Sequence, residues 1–442
     1  MLSEWRYSPC CKVDVWKGAN SMSLLIKNGR VINPKTKVDA VMDILVEHGI
    51  ITKIAHSIDQ SAECIIDAKN MWVVPGLIDV HVHLREPGFE HKETIESGTK
   101  SAAAGGFTTI CAMPNTNPVV DNEIIVEYIK MKAEKTGVVN VLPIGSITKG
   151  QRGEELANIG QMVKAGICAI SEDGHTVMNA SLMNMALKYA KMFNIPVMSH
   201  CEDKTMASGA MNAGDVSALI GLKGIPREAE EVITARDIIL ARGAGASLHI
   251  CHVSTEGAVQ LIREAKNRNE QITAEVCPHH FALTDEAVNG YDTNTKMNPP
   301  LRTQKDVDSI KKALKENVIE IIATDHAPHH ADDKNCEYEN AAFGIVGLET
   351  AVPLCMTELV HQGVLSPTEL IEKLTVNPAK LINLDKGSLE VDKIADITII
   401  DPNEEFTIDV ESFYSKGKNS PFHAYKAKGR VKNTIVSGKV VF

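Results

Sequence analysis

Apolar residues in this chain gather into short runs of two kinds. Eight β-rich runs recur through the middle, at 77–84, 108–114, 140–147, 165–171, 196–201, 247–253, 272–278 and 318–324. The segments between them, such as IIVEYIKMKAEK and SLMNMALKYAKMF, carry helical spacing. Strands alternating with helices predict βα units and a parallel sheet. Eight such units favour a closed (β/α)8 barrel of the TIM type over an open sheet. A doubly wound sheet is the competing architecture, but no glycine-rich dinucleotide loop follows the first run.

The ends differ from the middle. LLIKNGRVI, DILVEHGIITKIA and ECIIDA near the start, and DITIID and HAYKAKGRVKNTIVSGKVVF near the end, read as short strands with Gly and Asn turns. We expect one small β-sandwich domain assembled from 22–72 and 385–442, enclosing a barrel over 73–384. Residues 1–21 show no period and read as a leader or extension, with Met22 as the start of the protein. Lys17-Gly18-Ala19 fits a purine-rich ribosome-binding stretch just upstream of that Met. An intact Met1 or Leu2 terminus on protein expressed from its own gene, found by N-terminal sequencing, would overturn that expectation.

Composition narrows the classes. The 442 residues are 44% hydrophobic and 23% charged, ordinary for a globular protein. Aromatics at 4% and a formal net charge of -11 argue against a nucleic-acid surface. No apolar run approaches the ~20 residues of a membrane span, and the first residues lack the apolar centre of a signal peptide. Ten scattered cysteines without a paired framework predict reduced thiols and a cytoplasmic setting.

Polar residues collect where the eight runs end. The first ends in Asp79, His81 and His83, the second in Asn115, the fourth in Asp173 and the fifth in His200. The sixth ends in His252, the seventh in His279 and His280, and the eighth in Asp325, His326 and His329. In a barrel those ends converge on one rim, where active sites lie. Alternation puts His81 and His83 on one face, so two imidazoles can meet one metal ion. His200, His252, Asp173 and Asp325 add nitrogen and oxygen ligands, a set that suits zinc among the first-row metals. Arg85, two residues beyond His83, offers a planar two-donor fork for a carboxylate.

Each residue alone has a plainer reading. A strand-end histidine is more often a hydrogen-bonded core or surface group, the reading we adopt for His280 and His326. Asp173 precedes Gly174 and would ordinarily be a turn residue. Asn115 lies between prolines and would ordinarily form a turn. What shifts the balance is six ligand-type residues at the strand ends of one rim.

These motifs carry a resemblance. DVHVHLREPG, GGFTTICAMPNTNP, SEDG, MSHCED, HICHVS, EVCPHH, KMNPPLR and ATDHAPH carry a resemblance that covers nearly everything from Met22 to Phe442, to the amidohydrolase superfamily and within it the bacterial type I dihydroorotases. The resemblance implies two zinc ions per subunit. One is held by His81, His83 and Asp325, one by His200 and His252, with Asp173 bridging them. Many relatives bridge with a carbamylated lysine, but Lys164 precedes the fourth strand. It also implies substrate contacts from Arg85, Asn115, Asn298 and His329, and from the main chain at Phe343 and Gly344.

The implied reaction is the reversible cyclisation of N-carbamoyl-L-aspartate to L-dihydroorotate in pyrimidine synthesis. Zinc would activate a water for attack on the ring amide, and Asp325 would act as catalytic base and then acid. A homodimer and association with aspartate transcarbamoylase are further expectations from the family. Hydantoinases, dihydropyrimidinases and allantoinases are the nearest alternative, but would leave Arg85 without a carboxylate. A non-catalytic partner of the transcarbamoylase is the other alternative, one that should have lost metal ligands. The polar segment 331–341 reads either as a mobile cover over the substrate or as a solvated connection.

Overall fold

The computed structural model describes residues 23–442, so the expected leader lies outside the described residues. Eight parallel strands close into the expected barrel. They are Leu77–Val82, Phe107–Ala112, Asn140–Pro143 continuing as Gly145–Ser146, Ile170–Ser171, Val197–Ser199, Leu248–Ile250, Ile272–Val276 and Ile321–Ile322. Neighbours pair in parallel all the way round. The seam closes where Val82 bridges His326 and the His83 N–H donates to the His326 carbonyl at 2.9 Å.

The ladders are shorter than the apolar runs that announced them. The run over 165–171 begins in the last residue of the Ile159–Ala165 helix, turns at Gly166 with φ 107°, and enters the sheet only at Ile170. Apolar character follows burial, and the turns beneath the barrel are buried as well as its strands.

Helices begin where a short polar side chain caps them. Asn122, Asn179 and Thr255 each accept hydrogen bonds from backbone N–H groups of the first turn of the Glu123–Thr136, Ala180–Met192 and Glu256–Asn267 helices. Such a cap contributes about 1 kcal/mol. It also fixes where the loop after each strand must stop, and so the shape of the rim. Inside the helix layer Phe107, Ile110, Leu187, Val197, Leu248 and Ile262 are fully buried.

Strands from both ends of the chain build the expected composite β domain, joined through one mixed, hydrogen-bonded sheet of eight strands. Ile397–Thr407 pairs antiparallel with Trp72–Pro75, which pairs parallel with Leu24–Asn33. Leu24, Ile44, Val73, Ile399 and Ile435 fill its core. Thr434 and Thr398 donate to the carbonyls of Ala103 and Gly106 at 2.7 and 2.6 Å, fastening the sheet beside the first βα unit of the barrel. Among the described residues no helix is long and apolar enough to cross a membrane.

Candidate active site

The rim gathers the six expected ligand residues, all buried. Asp173 stands at their centre. Its Oδ1 lies 3.4 Å from His81 Nε2, 3.4 Å from His252 Nε2 and 3.6 Å from His200 Nδ1, and its Oδ2 lies 3.3 Å from His83 Nε2. Asp325 Oδ1 is 3.0 Å from His83 Nε2 and 3.5 Å from His81 Nε2. Burial would push both carboxyls up, but the surrounding imidazoles hold each below the usual range, Asp173 far below it.

The backbone delivers these groups from unusual positions. Arg85, His252 and Asp325 have φ of 61°, 34° and 45°. Left-handed backbone at a non-glycine residue costs about 1–3 kcal/mol and persists where the surroundings over-determine it. Here the strain turns side chains inward just as each strand leaves the ladder.

Partners behind the ligands set their tautomers. Glu275 Oε1 lies 2.5 Å from His81 Nδ1, so that nitrogen carries the proton and Nε2 presents its lone pair. Asn115 Oδ1 does the same for His83 Nδ1 at 2.8 Å. Glu275 also holds His249 Nε2 at 3.0 Å. Burial raises the Glu275 carboxyl, but the two histidines pull it down below its ordinary value.

Asp79 takes a different part. Its carboxylate accepts from the His81 N–H at 3.0 Å and the Thr324 N–H at 3.2 Å, stitching the first strand to the eighth, while burial raises its pKa to about 7. Glu172 likewise points away from the site, accepting from the N–H groups of Ile147 and Thr148.

This arrangement fits a metal. His81 Nε2, His200 Nε2 and His252 Nδ1 are buried without a hydrogen-bond partner. His200 Nδ1 and His252 Nε2 face each other at 2.9 Å, which requires a proton or a cation between their lone pairs. The ligand atoms of His81, His83, Asp173 and Asp325 form one cluster, and those of Asp173, His200 and His252 a second. Ligand atoms on a tetrahedral ion with bonds of about 2.1 Å lie about 3.4 Å apart, near the separations here. Replacing Glu275 with Gln should therefore weaken metal affinity by about 10- to 100-fold with the fold intact. Competition against a chromophoric chelator reads this; unchanged affinity would mean that Glu275 is only a core residue.

The other expected residues line the approach. Arg85 Nε donates to the Pro328 carbonyl at 3.2 Å, and Nη2 lies 3.5 Å from His329 Nε2. Burial lowers its pKa to about 10, against the pull of Asp325 and Asp173, so it stays cationic at neutral pH. Among the described residues no carboxylate lies within 4 Å of it. His329 Nε2 donates to the Phe343 carbonyl at 2.8 Å, and burial with Arg85 and Lys92 lowers the pKa of His329 to about 3. Gly344 N–H donates to the Lys296 carbonyl at 2.9 Å, and its φ of 149° with Ala327 O 2.7 Å from an added Cβ restricts that place to glycine. Asn298 Oδ1 is buried without a partner. His280 donates to the Pro299 carbonyl and His326 accepts from Gly347 N–H, core roles as expected for both.

Sequence reading missed the fastening of segment 331–341. The Lys334 ammonium donates to the carbonyls of Thr293, Lys296 and Ala342 at 3.1, 3.3 and 2.7 Å, and Lys92 pairs with Asp333 at 3.0 Å. Lys296 donates to the Glu339 carbonyl at 2.8 Å and lies 4.5 Å over the Phe343 ring. The segment is tied to its neighbours, which neither expected reading anticipated. Three lysines in polar sequence gave no periodic signal.

Known proteins resemble this chain in sequence and in fold. A family profile described as Dihydro-orotase-like matches residues 71–258, and one described as Amidohydrolase family matches 304–442. A dihydroorotase from Acetivibrio thermocellus is 56% identical, covering 95% of this chain and 98% of its own. One from Ruminiclostridium cellulolyticum is 53% identical with the same coverage of each chain. Among solved structures, the L-hydantoinase (dihydropyrimidinase) of Arthrobacter aurescens superposes with a TM-score of 0.86 at 26% identity, covering 95% of this chain and 96% of that one.

Proposed function

From the premise that this chain belongs to the dihydroorotase family of amidohydrolases, we propose how its residues divide the work. The chain is a dihydroorotase, interconverting N-carbamoyl-L-aspartate and L-dihydroorotate on the way to pyrimidine nucleotides. Zinc is the metal of this reading, one ion with His81, His83 and Asp325 and a second with His200 and His252, with Asp173 shared. When bound, zinc lowers the pKa of a water towards ~7 and polarises a carbonyl.

The chain's own groups do the rest. Asp325 receives the proton of the attacking water and passes it to the departing ring nitrogen; in the synthetic direction the proton returns by the same carboxylate. Arg85 takes the substrate carboxylate on two donors, with Asn115 Nδ2 and His329 beside it. Asn298 meets the ring, and the Phe343 and Gly344 carbonyls each keep a second acceptor lone pair for it.

One observation carries the substrate class: Arg85 is a half-buried cation with no carboxylate within 4 Å among the described residues, in a chain of net charge -11, and it lies beside the ligand cluster. A ring bearing a carboxylate satisfies it, and an uncharged hydantoin leaves it unpaired. The solved structures that superpose on this fold include hydantoinases, so the direct comparison discriminates. Metal analysis with a dihydroorotate hydrolysis assay tests the reading. Turnover should vanish with chelator and return with zinc, and hydantoin should turn over more slowly than dihydroorotate. Faster hydantoin turnover would overturn the substrate. A cytoplasmic homodimer, with aspartate transcarbamoylase as an associate in the cell, completes the proposal.

A further inference from the structure

We infer that Asn419, contributed by the C-terminal part of the composite β domain, positions the wall that reads the substrate's carboxylate. The inference deepens the proposed function and rests on its assignment of Arg85 and His329 to that carboxylate.

The wall is made of loops. Arg85 lies beyond the first barrel strand, Pro328 and His329 beyond the eighth, and Phe343 and Gly344 further along the chain. None of the five belongs to a strand or a helix. A fork that reads a carboxylate works only when its donors are held to within about 0.5 Å. Something outside the ladders must hold these there.

Asn419 does so from the other domain. It stands in the connection between two paired strands of the composite sheet, Ile397–Thr407 and Lys426–Val436. That connection is tied to the barrel on its way. The Glu349 carboxylate accepts from the N–H groups of Tyr414 and Ser415 at 2.9 and 3.1 Å, and Ser415 Oγ donates to Glu93 at 2.5 Å. Four residues on, the chain delivers Asn419, 4% exposed.

Its amide grips both sides of one residue. The His329 N–H donates to Asn419 Oδ1 at 2.9 Å, and Asn419 Nδ2 donates to the Ala327 carbonyl at 2.9 Å. Between those two groups stands Pro328, whose carbonyl accepts from Arg85 Nε at 3.2 Å. The second Nδ2 hydrogen goes to the Gly344 carbonyl at 3.0 Å. The main-chain carbonyl of Asn419 accepts from the Val346 N–H at 3.0 Å. One side chain therefore fixes the anchor of Arg85, the backbone of His329 and the Gly344 carbonyl. These partners also fix which way the amide points, since the reverse would set its hydrogens against an N–H and its oxygen against two carbonyls.

A second residue of the connection shapes the same place. A Cβ added at Gly417 would lie 2.7 Å from Pro328 Cβ and 2.9 Å from Pro328 Cα, so the chain packs on that proline only without a side chain. The hydrogen bonds of the Asn419 side chain all go to backbone groups and none to a ligand of the metal cluster. It is a positioning residue, and its loss belongs in the binding of a charged substrate, not in the chemical step.

Steady-state kinetics of the full chain with its metal test this. Asn419→Ala should raise KM for dihydroorotate by about tenfold while kcat stays within about twofold. Turnover of hydantoin, which has no carboxylate to place, should be unchanged. Asn419→Asp should be no better than alanine, because it keeps the shape and the acceptor but sets an oxygen against two carbonyls. Gly417→Ala leaves the amide intact and displaces the proline, and should raise the same KM. Asn33→Ala separates stability from position. Asn33 is a buried asparagine of the same domain that donates to the Leu389 carbonyl at 2.7 Å, so its loss should lower the melting temperature and leave KM alone. A fall in kcat with KM unchanged, or equal losses on dihydroorotate and hydantoin, would overturn the proposal. So would an Asn419→Asp protein with the KM of the unaltered one. An unaltered protein that does not turn over dihydroorotate would instead overturn the substrate reading, and the role of Asn419 with it.

Discussion

Asp325→Asn should abolish turnover while leaving the fold in place. The carboxylate sits 3.0 Å from His83 Nε2 at the cluster edge, and it is the group assigned to carry the proton in both directions. An amide of the same shape keeps the packing but cannot accept that proton. General acid–base catalysis contributes typically 10²–10⁴-fold, and this residue is also a ligand, so we expect turnover to fall by about 10³-fold or more. That corresponds to about 4 kcal/mol of barrier. Circular dichroism and the melting temperature should stay near those of the unaltered protein. Retention of a tenth of the activity would remove Asp325 from the proton path.

Arg85→Met should separate substrates by charge. The guanidinium is half-buried beside the ligand cluster, and the substrate's carboxylate is the partner assigned to it. Loss of one member of a buried charge pair costs about 2–5 kcal/mol, so kcat/KM for dihydroorotate should fall by about 10²- to 10³-fold. An uncharged cyclic amide gains nothing from Arg85, and its slow turnover should change little or improve. Equal losses on both substrates would mean that Arg85 serves the metal cluster instead. Lysine at this place should recover only part of the loss, since an ammonium is a point charge and not a fork.

The ligand set and the barrel were legible for the same reason. A strand forces a period of two and a barrel forces its strand ends together, so HVH and five other strand ends announced one rim. What was not legible follows from physics that carries no period. Asp79, at the end of the first run, holds two backbone N–H groups and no ligand position. Glu275 gave a signal that passed unread, a single carboxylate in the otherwise apolar ITAEVC. Asn115 was expected on the substrate, and its Oδ1 is spent on His83. Arg85 was expected as a simple continuation of the strand and instead reaches its place through a left-handed backbone. Strand lengths were overestimated because apolar sequence marks burial, whereas a ladder needs backbone register. The ties of Lys92, Lys296 and Lys334 join segments far apart in sequence, which no local pattern encodes.

The shared sheet has a further meaning for the way the chain is made. Pro75 pairs with Ile397, and Val73 with Ile399, so the first strands emerge from the ribosome long before the strand that completes them. At roughly 5–20 residues per second the wait is some tens of seconds. During that time Trp72–Pro75 presents an open edge and an apolar face to everything in the cell. That edge is thus locked only when Ile397–Ile400 arrives, and synthesis that stops short of it leaves an aggregation-prone fragment however complete its barrel.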